Sequence, residues 1–518
     1  MTKITQKRNV INNRKHTSKI TKNTKKTQRG GSVSRDILSR VRSIVIACRA
    51  GDYEIVREHL LNPIIRHHLK RGFIKDYNQL NLLHIACRYN HMHILRMLLS
   101  HPIMDMMDGR TVNKKTPRSV SGGVTPLHMA CIYVNIEMMR LLLAHKDIDV
   151  NKRGDHGATP LWMACQKGHD GLVQLLLNHT KIEVNKSRTG GIESTPLCIA
   201  CQNGHEEVVK MLLEYDGINL DSQTSVDSMT PLHIACSGGH DRVVRLLLEH
   251  NNNISIINQP TQTGKFPLSL ACHYGHHKVV RLLLDHDTST INSANNDGVT
   301  PLFYACQFNK TNDKIIKMLL DKGADFNQVG IAGWSPLFVA CWVENTEAVT
   351  ELLKRGADPN ISTSREHLEI PARATPLFVA CMQDHKEIVR MLLTNKTIDV
   401  NKQIHSGLSP LNISCIRENG FIVKLLLADG RTVRPFPVRD ENTLTNDPDI
   451  TYNVAFKNLK RSRRALFRGL VRASMVFRRM RLRAAETVYV PGGTGFDSAA
   501  TNFHRRVDIQ EMVKHNKR

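Results

Sequence analysis

No run of about 18 apolar residues occurs in the 518-residue chain, which excludes a transmembrane helix. The first 31 residues are polar and basic and lack the apolar segment a secretory signal requires; they also lack the leucines of an amphipathic transit peptide. An intracellular protein, in cytoplasm or nucleus, is therefore expected. Acid is missing from two stretches. Residues 1–35 and 457–483 each hold eleven Lys or Arg and no Asp or Glu, which accounts for 22 of the 25 net positive charges and leaves the middle nearly neutral. Body and tails are separate devices. Also missing are HExxH, GxxxxGKS and GxSxG. Without a metal-binding helix, a phosphate cradle or a nucleophile elbow, no catalytic residue, metal or cofactor is expected.

What is present is repetition. Thr125-Pro126-Leu127-His128-Met129-Ala130-Cys131 returns as Thr159-Pro160-Leu161-Trp162-Met163-Ala164-Cys165 and as Thr230-Pro231-Leu232-His233-Ile234-Ala235-Cys236, with variants starting at Thr195, Phe266, Thr300, Ser335, Thr375 and Ser409. Successive starts lie 34, 36, 35, 36, 34, 35, 40 and 34 residues apart. Two degenerate copies precede them, at Leu82 to Cys87 and Ile46 to Cys48, making eleven units.

Thr or Ser before Pro caps a helix whose first turn has no use for the missing N–H, so a short helix starts there. Gly then punctuates, as at Gly204 and Gly239, and a broadly apolar second helix follows, such as Val243, Val244, Leu246, Leu247 and Leu248. A unit of some 35 residues cannot bury enough surface alone, so its faces must be covered by neighbours. Segments such as Asp149-Val150-Asn151 supply turn residues for a finger leading into the next unit.

The TPLHxA phrase, the Gly-His turn and the closing DVN resemble the ankyrin-repeat family over residues 43–430. The resemblance implies an all-α repeat solenoid of helix-turn-helix units with hairpin-like fingers. Cys where a second Ala is usual resembles arrays of protists and large DNA viruses. Trp162, Cys198, Ser269, Phe303, Phe338, Phe378 and Asn412 replace the His, which puts the His-mediated ties between repeats in doubt there. Insertions before Thr125 and within 362–374 are expected to project from the finger side.

Eleven of twelve cysteines share one slot, so they read as small buried residues, and free thiols imply a reducing compartment. Cys198 and Cys201 spell CxxC, but the repeat phrase accounts for both.

The resemblance implies a protein-binding groove made by finger tips and the exposed end of each first helix. Those helix positions are the two after each Ala-Cys: Tyr274, Phe308, Trp342 and Met382 fall there, with Trp334 on the preceding finger. Large side chains on adjacent units make a candidate hot-spot strip, the alternative being that Tyr274 and Phe308 pack on the neighbouring repeat. At Gln166, Lys167, Gln202, Asn203 and Ser237 the strip is polar.

The organisation expected is a disordered basic tail over 1–40, the array over 41–430, a Pro-containing linker over 431–453, a basic amphipathic helix over 454–486 and a tail over 487–518. In that helix Phe456, Leu459, Leu466, Leu470 and Phe477 recur at helical spacing among Arg461, Arg463, Arg464, Arg468, Arg472, Arg478, Arg479, Arg481 and Arg483. The arginines suit nonspecific nucleic acid or an acidic protein, an anionic membrane surface, or nuclear import, or else the apolar face caps the last repeat. Two readings follow: a monomeric scaffold that binds a protein partner, or a nucleic-acid-associated protein held by its tails.

Overall fold

The computed structural model describes residues 35–70, 80–101, 112–116, 123–250, 257–307, 313–368 and 370–433. The N-terminal tail up to residue 34, the rest of the linker, the basic helix over 454–486 with its nine arginines, and the last tail lie outside the described residues. Among the described residues there are 23 α-helices and no strand, only the isolated bridge between His367 and Ile370. The helices come in short antiparallel pairs, for example Pro160–Lys167 with Asp170–Leu177 and Pro376–Met382 with Lys386–Thr394. They group into two compact units divided between Thr224 and Ser225, a boundary the repeat period does not mark.

Each first helix begins where its Thr or Ser stops the extended chain. The Thr159 hydroxyl accepts from the Trp162 amide at 3.2 Å, and Ser335 and Thr375 accept from Phe338 and Phe378 at 3.1 and 3.2 Å. Phe266 occupies the same position and has no side chain to cap with. In the pairs starting at Thr125 and Thr230 the histidine three residues on completes a capping box. The first helix ends in a left-handed residue, glycine at Gly168, Gly204, Gly239 and Gly275.

The cysteine slot is the centre of each stack: none of the eleven residues from Cys48 to Cys415 is more than 2% exposed. Their Sγ atoms touch the next pair; Cys48 donates to the Leu82 carbonyl at 3.5 Å and Cys131 to that of Pro160 at 3.4 Å. Burial pushes both thiols up to about 12, so they are neutral packing groups. All twelve cysteines are free and buried. Around them Leu172, Val173 and Leu176 in the first unit, and Val279, Val280 and Leu283 in the second, are at most 1% exposed. Each such side chain contributes about 1.5–3 kcal/mol when fully buried.

Three polar ladders stitch neighbouring pairs within a unit. Nε2 of His84 and of His128 each lie 2.9 Å from a carbonyl of the next pair, on Lys114 and Ala158, and His233 meets the Lys265 carbonyl at 3.2 Å. The second histidine reaches back, as from His205 to Gln166 and from His276 to Ser237, at 3.1 and 3.0 Å. The third ladder is asparagine. Asn151 accepts from the Glu183 amide at 2.9 Å and donates to the Lys181 carbonyl at 2.6 Å; Asn360 does the same with Asp399 and Thr397, at 2.7 and 2.9 Å. The closing asparagine, expected only as a turn residue, is thus a clamp on the following repeat.

Candidate interaction surface

Two kinds of surface line each unit: the finger tips, and the turn between the two helices of each pair. The tips are joined in series. In the first unit Asp155 donates to Gly123 and Thr189 to Gly157, at 3.1 and 3.3 Å; in the second Gln262 donates to Asp227, Asn296 to Thr263 and Ser364 to Ala332, at 3.0, 3.1 and 2.8 Å. Close approach explains the glycine at 157, which has φ +75: a Cβ there would lie 1.7 Å from the Thr189 carbonyl oxygen. The fingers are therefore a connected ribbon within each unit.

The insertion around 362–374 folds back instead of projecting. Thr363 accepts from the Ala374 amide at 2.9 Å and its hydroxyl donates to Pro371 at 2.7 Å, and Ile370 is 2% exposed. His367 on this loop packs edge-on against Trp334, with ring centroids 5.6 Å apart.

That packing corrects the expected strip. Trp334 is 2% exposed, held between His367, Phe338 at 5.2 Å and Trp342 at 4.6 Å. It is a floor and not a contact residue. Met382 is 6% exposed and also belongs to the core. Trp342 is half-buried, standing edge-on to Trp334 at 78°, and keeps an accessible side. Tyr274 is half-buried against His273, whose ring centroid lies 4.7 Å away. Phe308 lies outside the described residues. The buried neighbour Tyr304, held by a 3.1 Å bond from Asn295, has its phenol pushed far up by desolvation and stays neutral. Trp342 and Tyr274 therefore remain as surface candidates, each on a rigid aromatic base.

Sequence reading missed a second set. Nine of the thirteen large apolar side chains exposed among the described residues fall between Ile46 and Ile136. Tyr89 and Tyr133 sit in the same two-residue slot after Ala-Cys, 43% and 46% exposed. The spacing rule applied to Tyr274 would have found both.

Among the described residues no three His, Cys, Asp or Glu side chains cluster as a metal would need, and no helix is long and apolar enough to cross a membrane.

Helix pairs of this geometry, stitched at fingers and caps, are the build of a repeat array used for recognition. The family model for ankyrin repeats in three copies matches in overlapping segments, 44–153, 109–188, 182–258, 252–330, 292–363 and 337–435, and the chain belongs to the ankyrin-repeat family. Its fold is the all-α repeat solenoid. Ankyrin repeats are general protein–protein interaction modules. Among curated proteins the chain is similar to the SMC5-SMC6 complex localization factor protein 1 of Bos taurus, 36% identical over 96 residues. That stretch is 18% of this chain and 8% of the relative, so the chain spans a small fraction of the protein it matches.

Proposed function

We propose that the chain is an intracellular scaffold that grips a protein partner on the helix-turn and finger surfaces of its ankyrin stack, and that its basic tails add electrostatic targeting. The observation that carries this reading is Trp342, a half-buried indole braced edge-on by the buried Trp334 in a chain whose family is built for protein contact. A braced aromatic loses little entropy on binding and carries much interface energy. The twelve buried free thiols fit a reducing compartment, cytoplasm or nucleus. The protein works as a monomer and without catalysis.

Proximity labelling of wild type against Trp342→Ala tests it. A specific set of partners should fall away in the variant; equal recovery of every partner would count against the strip. The second reading makes the tails the principal binding device for nucleic acid, with the array recruiting a partner. It is favoured by the 22 net charges carried on residues 1–35 and 457–483. Deleting 1–35 and 454–486 leaves partner affinity intact under the first reading and abolishes it under the second. The relative's name, a complex localization factor, suits either reading.

A further inference from the structure

The slot between the two helices of each pair demands a left-handed residue. Gly51, Gly168, Gly204, Gly239 and Gly275 fill it without cost, and Asn90, Glu344, Asp384 and Glu418 fill it with polar side chains. In the pair Pro126–Ile132 and Ile136–Leu143 the slot holds Val134, at φ +53. It is the one β-branched residue with positive φ among the described residues. A β-branched side chain is strained there; such strain persists only where the surrounding structure imposes it, and it clusters at functional sites. Val134 gains nothing in the core, since it is 49% exposed.

Its neighbours are exposed as well. Tyr133 is 46% and Ile136 46% exposed, and Tyr89 on the preceding pair is 43% exposed. The two turns abut, because Asn135 Nδ2 donates to Asn90 Oδ1 at 2.5 Å and lies 3.7 Å from Met92 Sδ. On the other side Ile136 reaches over Gly171, where a Cβ would come within 3.2 Å of its Cδ1. Exposed apolar side chains thus flank the abutting turns of neighbouring pairs in the first unit, with the Asn90–Asn135 bond between them.

Charge says what fits it. The two positions after each Ala-Cys in this unit carry Arg49, Arg88 and Lys167 and no carboxylate. Arg49 already lies over the Tyr89 ring at 6.0 Å, and the His91 ring stacks on the same tyrosine at 6.2 Å. Tyr89 therefore offers its edge and hydroxyl more than a bare face, which disfavours a stacked nucleobase. Val134 and Ile136 offer aliphatic surface, which suits side chains and not bases.

We infer that the turn surface around Tyr89, Tyr133, Val134 and Ile136 docks an acidic peptide segment of a protein partner, its apolar side chains seated on the patch and its carboxylates facing the flanking cations. This rests on the reading of the array as a protein-binding device, but on the first unit and on residues separate from the Trp342 strip.

The test uses the full chain and a twelve-residue peptide alternating glutamate with leucine, carrying a benzophenone for crosslinking. Crosslinks are expected at residues 88–89 and 132–136 at moderate salt, where binding to the basic tails is screened. Tyr133→Ala and Arg88→Glu should each weaken the peptide about tenfold, and Trp342→Ala should not. Val134→Gly should weaken the peptide severalfold while raising the melting temperature, a pair of effects that a purely structural valine cannot give. Crosslinks confined to the tails, or peptide affinity unchanged in all three patch variants, overturn the proposal. Loss only in Trp342→Ala places the site on the other strip, which defeats this inference and leaves the scaffold reading intact. A twenty-nucleotide oligothymidylate that displaces the peptide and is itself weakened by Tyr133→Ala makes the surface a nucleic-acid site, and also overturns it.

Discussion

In the first unit, between Arg35 and Thr224, the side chain three residues after the capping Thr or Asn reaches across to the next pair through polar atoms. His84 and His128 meet carbonyls, and Trp162 donates Nε1 to Ser194 at 3.2 Å beneath the Arg188 guanidinium. In the second unit His233 does the same, but from Phe303 to Phe378 the slot is filled with carbon, Phe338 and Phe378 being 1% and 0% exposed, before Asn412 returns a polar group that bonds back to its own cap. The ties doubted from sequence are thus lost at the phenylalanines and kept, in another form, at Trp162. What the stack needs is a filled volume and a satisfied cap, and either chemistry provides it. The two chemistries differ in how they fail.

Phe378→Ala should break that equivalence most, removing about 3–5 kcal/mol through the cavity it leaves. His128→Ala should cost less, near the ~1–3 kcal/mol of an orphaned buried carbonyl. Native-state hydrogen exchange of amides 376–394 and 126–143 reads each locally, and equal losses would erase the distinction.

Acid should separate the units next. Burial, the largest influence, depresses His84, His128 and His233 to about 4, below their ordinary value of 6.5, with the carbonyl bond opposing it. Between those values the unfolded chain binds the proton and the folded one does not, so stability is full above pH 6.5 and is lost as pH falls toward 4. The loss is at most about 3 kcal/mol per histidine. Two of the three lie in the first unit, so exchange protection at pH 4.5 should fall there before it falls among the phenylalanine repeats. His128→Phe should blunt that fall.

Asn151→Ala removes two bonds to the next repeat and should cost about 1–2 kcal/mol, seen as faster exchange of the Glu183 amide. The smallest effect is a gain. Phe266→Thr supplies the missing cap and should add about 1 kcal/mol, measured as a shift in the denaturant midpoint.

Fold was legible because the residues that stack the repeats recur in fixed register: Thr-Pro, Leu, Ala-Cys and the apolar second helix are all spent on contacts every unit makes. The surface was less so, because exposure is set by partners distant in sequence. Trp334 stands just before the capping serine, a slot that is also buried at Val124, Ala158, Met229, Val299, Ala374 and Leu408, whereas Trp342 stands at the helix end that enters the turn; His367, on an insertion that folds back, adds to the cover over the former. Met382 likewise reads as an exposed helix end until its neighbours cover it. Tyr89 and Tyr133 are legible by position, since each is the second residue after Ala-Cys, as Tyr274 is. Strain at Val134 follows from the slot it occupies, once glycine is recognised there in five other pairs.

The asparagine clamps point one way along the chain. Each belongs to an earlier repeat and closes on backbone made later, down to Asn401, which donates to the Arg431 carbonyl at 2.7 Å and accepts from the Val433 amide at 2.7 Å. During synthesis every finished repeat therefore presents an open amide to chain still emerging, and growth satisfies it. Cutting residues from the carboxyl side strands an asparagine that had two partners, whereas trimming the amino side strands a back-reaching side chain that had one, as His205 would lose the Gln166 carbonyl and His276 that of Ser237. The array has a grain, and it should tolerate loss at its two ends unequally.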